Sequence, residues 1–82
     1  MRKLPVVSGE QLVKFLTRLG YEVVRQKGSH LQLRDFTDMG EHRITVLLHN
    51  EVAKGTLNDI LTKVSLWKGI PKKNLREMLS KS

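Results

Sequence analysis

The first helical pattern of apolar positions lies near the start of the chain. Its members recur at i, i+3, i+4 and i+7, which places them on one helical face: Leu12, Phe15, Leu16 and Leu19. Ser8 and Gln11 have the spacing of a capping box, and Gly20 suits the left-handed residue that follows many helices. We therefore predict an amphipathic helix over residues 9–19.

Three short segments after this helix have the composition and the alternation of β-strands. The predicted strands cover residues 21–26, 30–34 and 43–48. A turn at Lys27-Gly28-Ser29 joins the first two, with Gly28 free to adopt a positive φ, and a polar loop over residues 35–42 joins the last two. Such short connections require antiparallel pairing.

Alternation within the strands predicts one face on the core and one in solvent. The inward side chains are predicted to be Leu31 and Leu33 in the second strand, and Ile44, Val46 and Leu48 in the third. The opposite face of the second strand carries His30, Gln32 and Arg34. These three polar side chains are therefore predicted to face water.

A second apolar stripe predicts a helix over residues 57–64. Its members are Leu57, Ile60, Leu61 and Val64, and Thr56 with Asp59 has the spacing of a cap. Pro71 suits the first position of a short third helix, whose apolar side chains are Leu75, Met78 and Leu79.

The predicted order is therefore α-β-β-β-α with a helical appendix. This is an α+β fold in which the two main helices cover one face of a three-stranded antiparallel sheet. The length of 82 residues allows one domain, with a core over residues 8–64 and a basic helical tail over residues 65–82.

The composition excludes several classes of protein. The chain has no cysteine, which excludes a disulfide framework, a thiolate zinc site and cysteine catalysis. No apolar run approaches the roughly 20 residues of a membrane span, and the first residues lack the apolar stretch of a signal peptide. We therefore expect a cytoplasmic protein with no membrane partner.

The charge of the chain is strongly positive and unevenly distributed. Fifteen basic residues oppose eight acidic ones, and the excess lies in residues 2–27 and 68–82. A basic small domain indicates a polyanionic partner, although positive charge also serves solubility. Aromatic residues make up only 5% of the chain, too few for a platform that stacks single-stranded bases. Phosphate contacts should therefore dominate any binding of nucleic acid.

His30 has the most informative surroundings of the three histidines. It directly follows Gly28-Ser29, and Arg25 and Lys27 are close by in sequence. An imidazole can take a proton from an RNA 2′-hydroxyl or protonate the leaving oxygen, while nearby cations stabilise the pentacoordinate phosphate. This route needs no metal ion. An exposed polar residue on a wet sheet face is the other interpretation of His30.

The remaining candidates are less distinctive. His49, at the end of the third strand, could reach substrate or only cap a loop, and His42 is expected to be solvated. Lys54-Gly55-Thr56 could bind a phosphate at a helix N-terminus or simply begin that helix. The acidic residues Asp35, Asp38 and Glu41 share one predicted loop without a ligand-spaced histidine pair, so no metal site is predicted. No glycine-rich nucleotide loop is present, so we expect no cofactor.

Two motifs stand out: the segment Arg25-Gln26-Lys27-Gly28-Ser29-His30, and Gly55-Thr56-Leu57 at a later helix start. With these motifs the chain resembles the HicA toxins over about residues 8–79. These are small mRNA interferases of HicA–HicB toxin–antitoxin systems. The resemblance implies a fold like that of double-stranded-RNA-binding domains, cleavage of mRNA that blocks translation, and His30 as the catalytic residue. It also implies a HicB-type antitoxin that covers His30. In Thr45-Val46-Leu47-Leu48-His49 the chain lacks the proline that the family usually has before the histidine.

The leading hypothesis is a metal-independent endoribonuclease with His30 as its acid/base. The predicted RNA-binding residues are Arg25, Lys27, Gly28, Ser29, Lys54 and Thr56. A second proton carrier is also needed, and His49, Lys27 or water could each supply it. Two other functions are considered: a non-catalytic module that reads double-stranded RNA by its shape and phosphates, and a role chiefly in binding an antitoxin protein.

Overall fold

The structure is a computed structural model that describes residues 4–81; Arg2 and Lys3 of the basic first segment lie outside the described residues. Within that range, the elements are α1 (Gly9–Arg18), β1 (Glu22–Lys27), β2 (His30–Thr37), β3 (Gly40–Leu47), α2 (Lys54–Lys68) and α3 (Lys72–Ser80). The strands form an antiparallel sheet in the order β1-β2-β3. The predicted α+β fold is confirmed, with α3 following the α-β-β-β-α unit.

Helix α1 begins with the predicted capping box. The Ser8 hydroxyl accepts from the Gln11 amide at 3.1 Å, and the Ser8 amide donates to the Gln11 side chain at 2.9 Å. These two bonds provide acceptors for the Ser8 and Gln11 amides, which would otherwise be unpaired at the start of the helix. The helix ends one residue earlier than predicted, with Leu19 as its C-cap, and Gly20 follows with a φ of 109°.

The predicted polar loop over residues 35–42 is wrong. Strand β2 continues to Thr37 and β3 begins at Gly40, so only Asp38 and Met39 separate the two strands. Within the hairpin Asp35 is in register with His42. The polar composition of this segment conceals its alternation, because a charged side chain, that of Asp35, occupies an inward position.

Helix α2 is longer than predicted at both ends. The expected cap at Thr56 is absent: Ala53 is the N-cap, it makes no side-chain cap hydrogen bond, and Thr56 lies inside the helix. The helix ends at Gly69, which adopts a left-handed φ of 70° and donates its amide to the Ser65 carbonyl at 2.9 Å. Pro71 is the residue before α3 rather than its first helical residue. The apolar stripe thus located only the buried middle of α2.

The hydrophobic core lies between the helices and one face of the sheet. Its fully buried side chains come from all three described helices and from the two strands β2 and β3: Leu12, Phe15, Leu16, Leu33, Val46, Leu57, Leu61, Val64 and Leu75. Leu48, predicted to face inward, lies beyond the end of β3 and is only half-buried, and Met78 of the third apolar stripe is 43% exposed. None of the helices within residues 4–81 combines the length and apolar character needed to span a bilayer.

Gly9 allows α1 to approach the end of β3 closely. A Cβ atom at this position would meet the Leu47 carbonyl oxygen and lie 2.7 Å from the Leu48 Cα, both of which are backbone atoms. We expect Gly9→Ala to lower the free energy of unfolding by about 1–3 kcal/mol because one element must shift. Urea denaturation measures this change.

The matched control for this prediction is Gly55→Ala in α2, where an added Cβ meets nothing within 4 Å. Alanine favours a helix over glycine, so this variant should gain up to about 1 kcal/mol. Equal midpoints for Gly9→Ala and the wild type would contradict the close approach.

Candidate functional site

His30 is held at the start of β2 by a tight turn. Gly28 has a φ of 59°, which suits the first position of a two-residue hairpin turn. The turn places His30 in register with Lys27 on β1 and with Leu47 on β3. The side chain is exposed, as predicted for the outer face of the sheet.

A depression of about 790 Å³ lies on one side of His30. The residues that line it are Arg25, Lys27, Gly28, Ser29, His30, Gln32 and Thr45. We call it the basic depression, because the described residues of its lining include two cations and no acid. Arginine and lysine side chains attract the phosphates of a nucleic acid and release its counterions. Four predicted RNA-binding residues are thus brought together beside His30.

A second cleft, of about 490 Å³, also borders His30. Its lining residues are Leu12, His30, Thr45, Val46, Leu47, His49, Val52, Ala53, Thr56 and Ile60. We call it the apolar cleft. It brings His49 and Thr56, both predicted as site residues, to the same cavity as His30.

Backbone hydrogen bonds fix the positions of the two histidines. The carbonyl of Ser29, directly before His30, accepts from the Leu48 amide at 2.9 Å. The carbonyl of His49 accepts from the Gly9 amide at 2.9 Å, and the His49 amide donates to the Leu47 carbonyl at 2.8 Å. The separation of the histidines is therefore set by main-chain contacts among β2, β3 and α1.

The N-terminus of α2 borders the apolar cleft through Ala53 and Thr56. The first turn of this helix carries no acidic side chain, and its N-cap makes no side-chain bond. Backbone N–H groups at such an end carry a partial positive charge. Lys54 begins this helix and is exposed, but it is not among the residues that line the basic depression or the apolar cleft.

Thr45 is a site residue that the sequence did not indicate. It lines both the basic depression and the apolar cleft, and it lies opposite Gln32 in the sheet. Its proximity to His30 follows from the register of β2 and β3, which the wrongly predicted loop concealed. Among residues 4–81, no group of three or more histidine or acidic side chains is arranged to hold a metal ion.

A polar cluster lies near the other end of β2 and comprises Tyr21, Asp35, His42, Trp67 and Lys68. Its centre is Asp35, which is only 5% exposed. One carboxylate oxygen of Asp35 accepts from the Trp67 indole N–H and from the Lys68 ammonium, each at 2.8 Å. Burial alone raises the pKa of Asp35, but the bonds from Lys68 and Trp67 outweigh it and hold the pKa below the ordinary 3.8. This charged group is therefore a structural part of the core.

The prediction that His42 is solvated is wrong. The ring is half-buried, and its Nδ1 lies 2.6 Å from the Tyr21 hydroxyl oxygen. Its centroid is 5.7 Å from the Tyr21 ring and 5.6 Å from the Trp67 ring. Burial, with the negative charge of Asp35, raises the pKa of Tyr21, so the phenol keeps its proton for this hydrogen bond. These contacts join residues distant in sequence, and no local pattern signals them.

Stability should fall as the pH is lowered from about 7.5 to about 5, because His42 resists protonation in the fold. Burial and the charge of Lys63 lower the pKa of His42, although Asp35 opposes this shift. The unfolded chain, with the ordinary pKa of 6.5, then binds the proton first. The stability that neutral His42 contributes is therefore fully present above pH 6.5 and is lost as the pH falls through the lower pKa of His42 in the fold.

Urea midpoints at the two pH values measure this loss. His42→Phe keeps a ring against Trp67 and should show a smaller difference between the two midpoints than the wild type. Each protein is compared with itself at the two pH values, so the constant loss of stability from the missing Tyr21 hydrogen bond cancels. An unchanged difference in His42→Phe would show that His42 is not the responsible group.

Comparison with known proteins places the chain in a family. The model of the family described as the HicA toxin of bacterial toxin-antitoxin matches residues 9–66 of the chain. That range includes β1, β2, β3 and the residues that line both the basic depression and the apolar cleft. No curated protein and no solved structure matches the chain significantly.

Proposed function

The chain belongs to the HicA toxins of bacterial toxin–antitoxin systems, and we propose that it acts as a metal-independent endoribonuclease that cleaves mRNA. A toxin of such a system has a cognate antitoxin. The observation that carries the proposal is the position of an exposed histidine, His30, beside a depression with two cations and no acid among its described lining residues. A proton carrier and a phosphate site are thereby adjacent, as cleavage of RNA requires.

The proposed reaction uses the 2′-hydroxyl of the RNA as the nucleophile. Arg25 and Lys27 hold the scissile phosphate in the basic depression and stabilise its pentacoordinate state. His30 accepts the 2′-hydroxyl proton as the 2′-oxygen bonds to phosphorus. The bond from phosphorus to the 5′-oxygen breaks, and that oxygen takes a proton as it leaves. The products are a 2′,3′-cyclic phosphate and a new 5′-hydroxyl end.

We assign the second proton transfer to His49. Its support is that His49 lines the same apolar cleft as His30 and is anchored by two backbone hydrogen bonds. An imidazole can give a proton to the leaving oxygen near neutral pH. Lys27 lines the basic depression instead, where its charge serves phosphate binding.

The N-terminus of α2 extends the proposed RNA path beyond the apolar cleft. Thr56 lines the cleft, Lys54 is exposed two residues earlier, and the first turn contains no acidic side chain. A following phosphate can therefore bind the helix N–H groups and the Lys54 ammonium. The proposed antitoxin is of the HicB type, acts in the cytoplasm, and blocks this path by covering His30.

The test is cleavage of end-labelled RNA by the purified protein in EDTA. The expected result is a set of fragments that end in 2′,3′-cyclic phosphate. Intact RNA together with a mobility shift would support the second candidate, a non-catalytic RNA-binding module, which the basic depression also favours. Intact RNA in EDTA with cleavage restored by a divalent metal would contradict the metal-independent mechanism.

A further inference from the structure

The apolar cleft has a chemistry that phosphate binding does not require. We propose that it is a nucleobase pocket, which holds one unpaired base of the RNA next to the scissile phosphate. This inference deepens the proposed ribonuclease function and rests on it for the identity of the ligand.

The lining of the cleft has the composition of a site for a flat heterocycle. Four aliphatic side chains in it are at most 9% exposed and form its deep wall: Leu12, Val46, Val52 and Ile60. The hydroxyls of Thr45 and Thr56 are available as polar partners in the same lining. Apolar walls with a few polar groups, and a volume within about 300–1,000 Å³, are typical of small-molecule sites.

The cleft also lies where a base of bound RNA would be. His30 and Thr45 line both the apolar cleft and the basic depression, so the two cavities meet at these residues. A nucleotide whose phosphate lies beside Arg25 and Lys27 can therefore direct its base across His30. The rings in the lining of the cleft are the imidazoles of His30 and His49, and imidazoles can stack on a base.

The pocket determines the form of RNA that the protein accepts. A base in a duplex is stacked and paired, and it cannot enter a protein cavity without being extruded. The pocket therefore selects single-stranded or looped RNA over a continuous duplex. This differs from recognition of double-stranded RNA, which depends on helical shape and contacts across the minor groove.

Binding of uncharged nucleosides tests the pocket separately from catalysis. Adenosine, cytidine, guanosine and uridine are titrated into the isotope-labelled protein, and methyl signals of Val46, Val52 and Ile60 are followed by NMR. At least one nucleoside should shift these methyl signals. Inorganic phosphate should instead shift the amides around Gly28 and Ser29. RNA cleavage is measured on the same samples with matched single-stranded and duplex substrates.

Two substitutions localise the binding. Ala53→Phe adds a ring to the lining of the cleft, and Asn50→Phe adds the same ring to an exposed position of the same loop, outside that lining. Nucleoside affinity should fall about tenfold or more in Ala53→Phe and stay unchanged in Asn50→Phe. Leu47→Phe, on the strand side of the cleft, replaces Ala53→Phe if that variant does not fold.

The outcomes separate the pocket from the ribonuclease. Methyl shifts without any RNA cleavage would support the pocket and contradict the proposed enzyme. Cleavage without methyl shifts would support the enzyme and overturn the pocket, leaving the cleft for an apolar side chain of a protein partner. Shifts that persist equally in Ala53→Phe or its replacement, or equal cleavage of single-stranded and duplex RNA, would also overturn the pocket.

Discussion

RNA cleavage should fall by at least about a hundredfold when His30 is replaced by alanine, because the variant loses its proton carrier at the 2′-hydroxyl. The fold should persist. The His30 side chain is exposed, and the neighbouring Ser29–Leu48 bond is between backbone atoms. The urea midpoint should therefore stay close to that of the wild type.

The measurement is the initial rate of cleavage of one end-labelled RNA by wild type and variant at equal concentration in EDTA. Phe36→Ala is the matched control, since Phe36 is an exposed residue of the same strand, 72% accessible, outside the linings of the basic depression and the apolar cleft. It should cleave at the wild-type rate. Wild-type cleavage by His30→Ala would refute the assignment, and loss of folding would refute the exposed position of the side chain.

His49→Ala examines the second proton transfer in the same assay. If His49 protonates the leaving oxygen, it acts only while it carries a proton, so the alkaline limb of the pH–rate profile should change together with the rate. A lower rate with an unchanged profile would indicate that His49 only shapes the cleft.

Stability should decrease by about 3 kcal/mol when Asp35 is replaced by alanine, a large part of the roughly 5–15 kcal/mol of a small domain. The substitution removes the acceptor of the Trp67 indole and the counter-charge of Lys68, whose side chain is only 20% exposed. A buried donor without an acceptor, and a cation without its partner, each cost free energy.

The control is a surface ion pair of similar geometry. Asp59 and Lys63 in α2 are 3.1 Å apart, but both side chains are 62% exposed. Asp59→Ala should therefore cost at most about 0.5 kcal/mol. Equal urea midpoints for Asp35→Ala and Asp59→Ala would contradict the structural role of the Asp35 contacts.

Acid denaturation provides an independent measurement of the same group. The pKa of Asp35 is lowered in the fold, so its ionisation stabilises the protein above pH 3.8, and this stability is lost as the pH falls through the folded value. Asp35→Asn should lose that component of the acid transition. An acid transition identical to the wild type would contradict the lowered pKa.

The parts of the fold that depend on interactions between residues close in sequence were predictable from the sequence. The capping box at Ser8 and the apolar stripe of α1 lie within one helix, and they located it to within one residue. The turn at Gly28 was predictable for the same reason, because a single glycine supplies its positive φ. The Arg25–His30 segment could be assigned as a candidate site because its members are neighbours along the chain.

The errors arose where distant residues decide the structure. Asp35 faces the core because Trp67 and Lys68, more than 30 residues away, donate to its carboxylate. Polar composition therefore predicted a loop where a hairpin forms. The apolar cleft is not predictable for a related reason, since its lining combines residues of α1, β2, β3, α2 and the segment between β3 and α2. His49 could be proposed from the sequence, but its shared cleft with His30 required the register of the sheet.

His30 and Asp35, the centre of the polar cluster, lie towards opposite ends of β2. His30 begins β2 and Asp35 follows five residues later, which is roughly 16 Å along a strand. Variants of this toxin whose expression cells survive should therefore carry substitutions in two separate regions of the structure. Substitutions near Asp35 should deplete the folded protein from cells, whereas substitutions at His30 should leave its abundance normal.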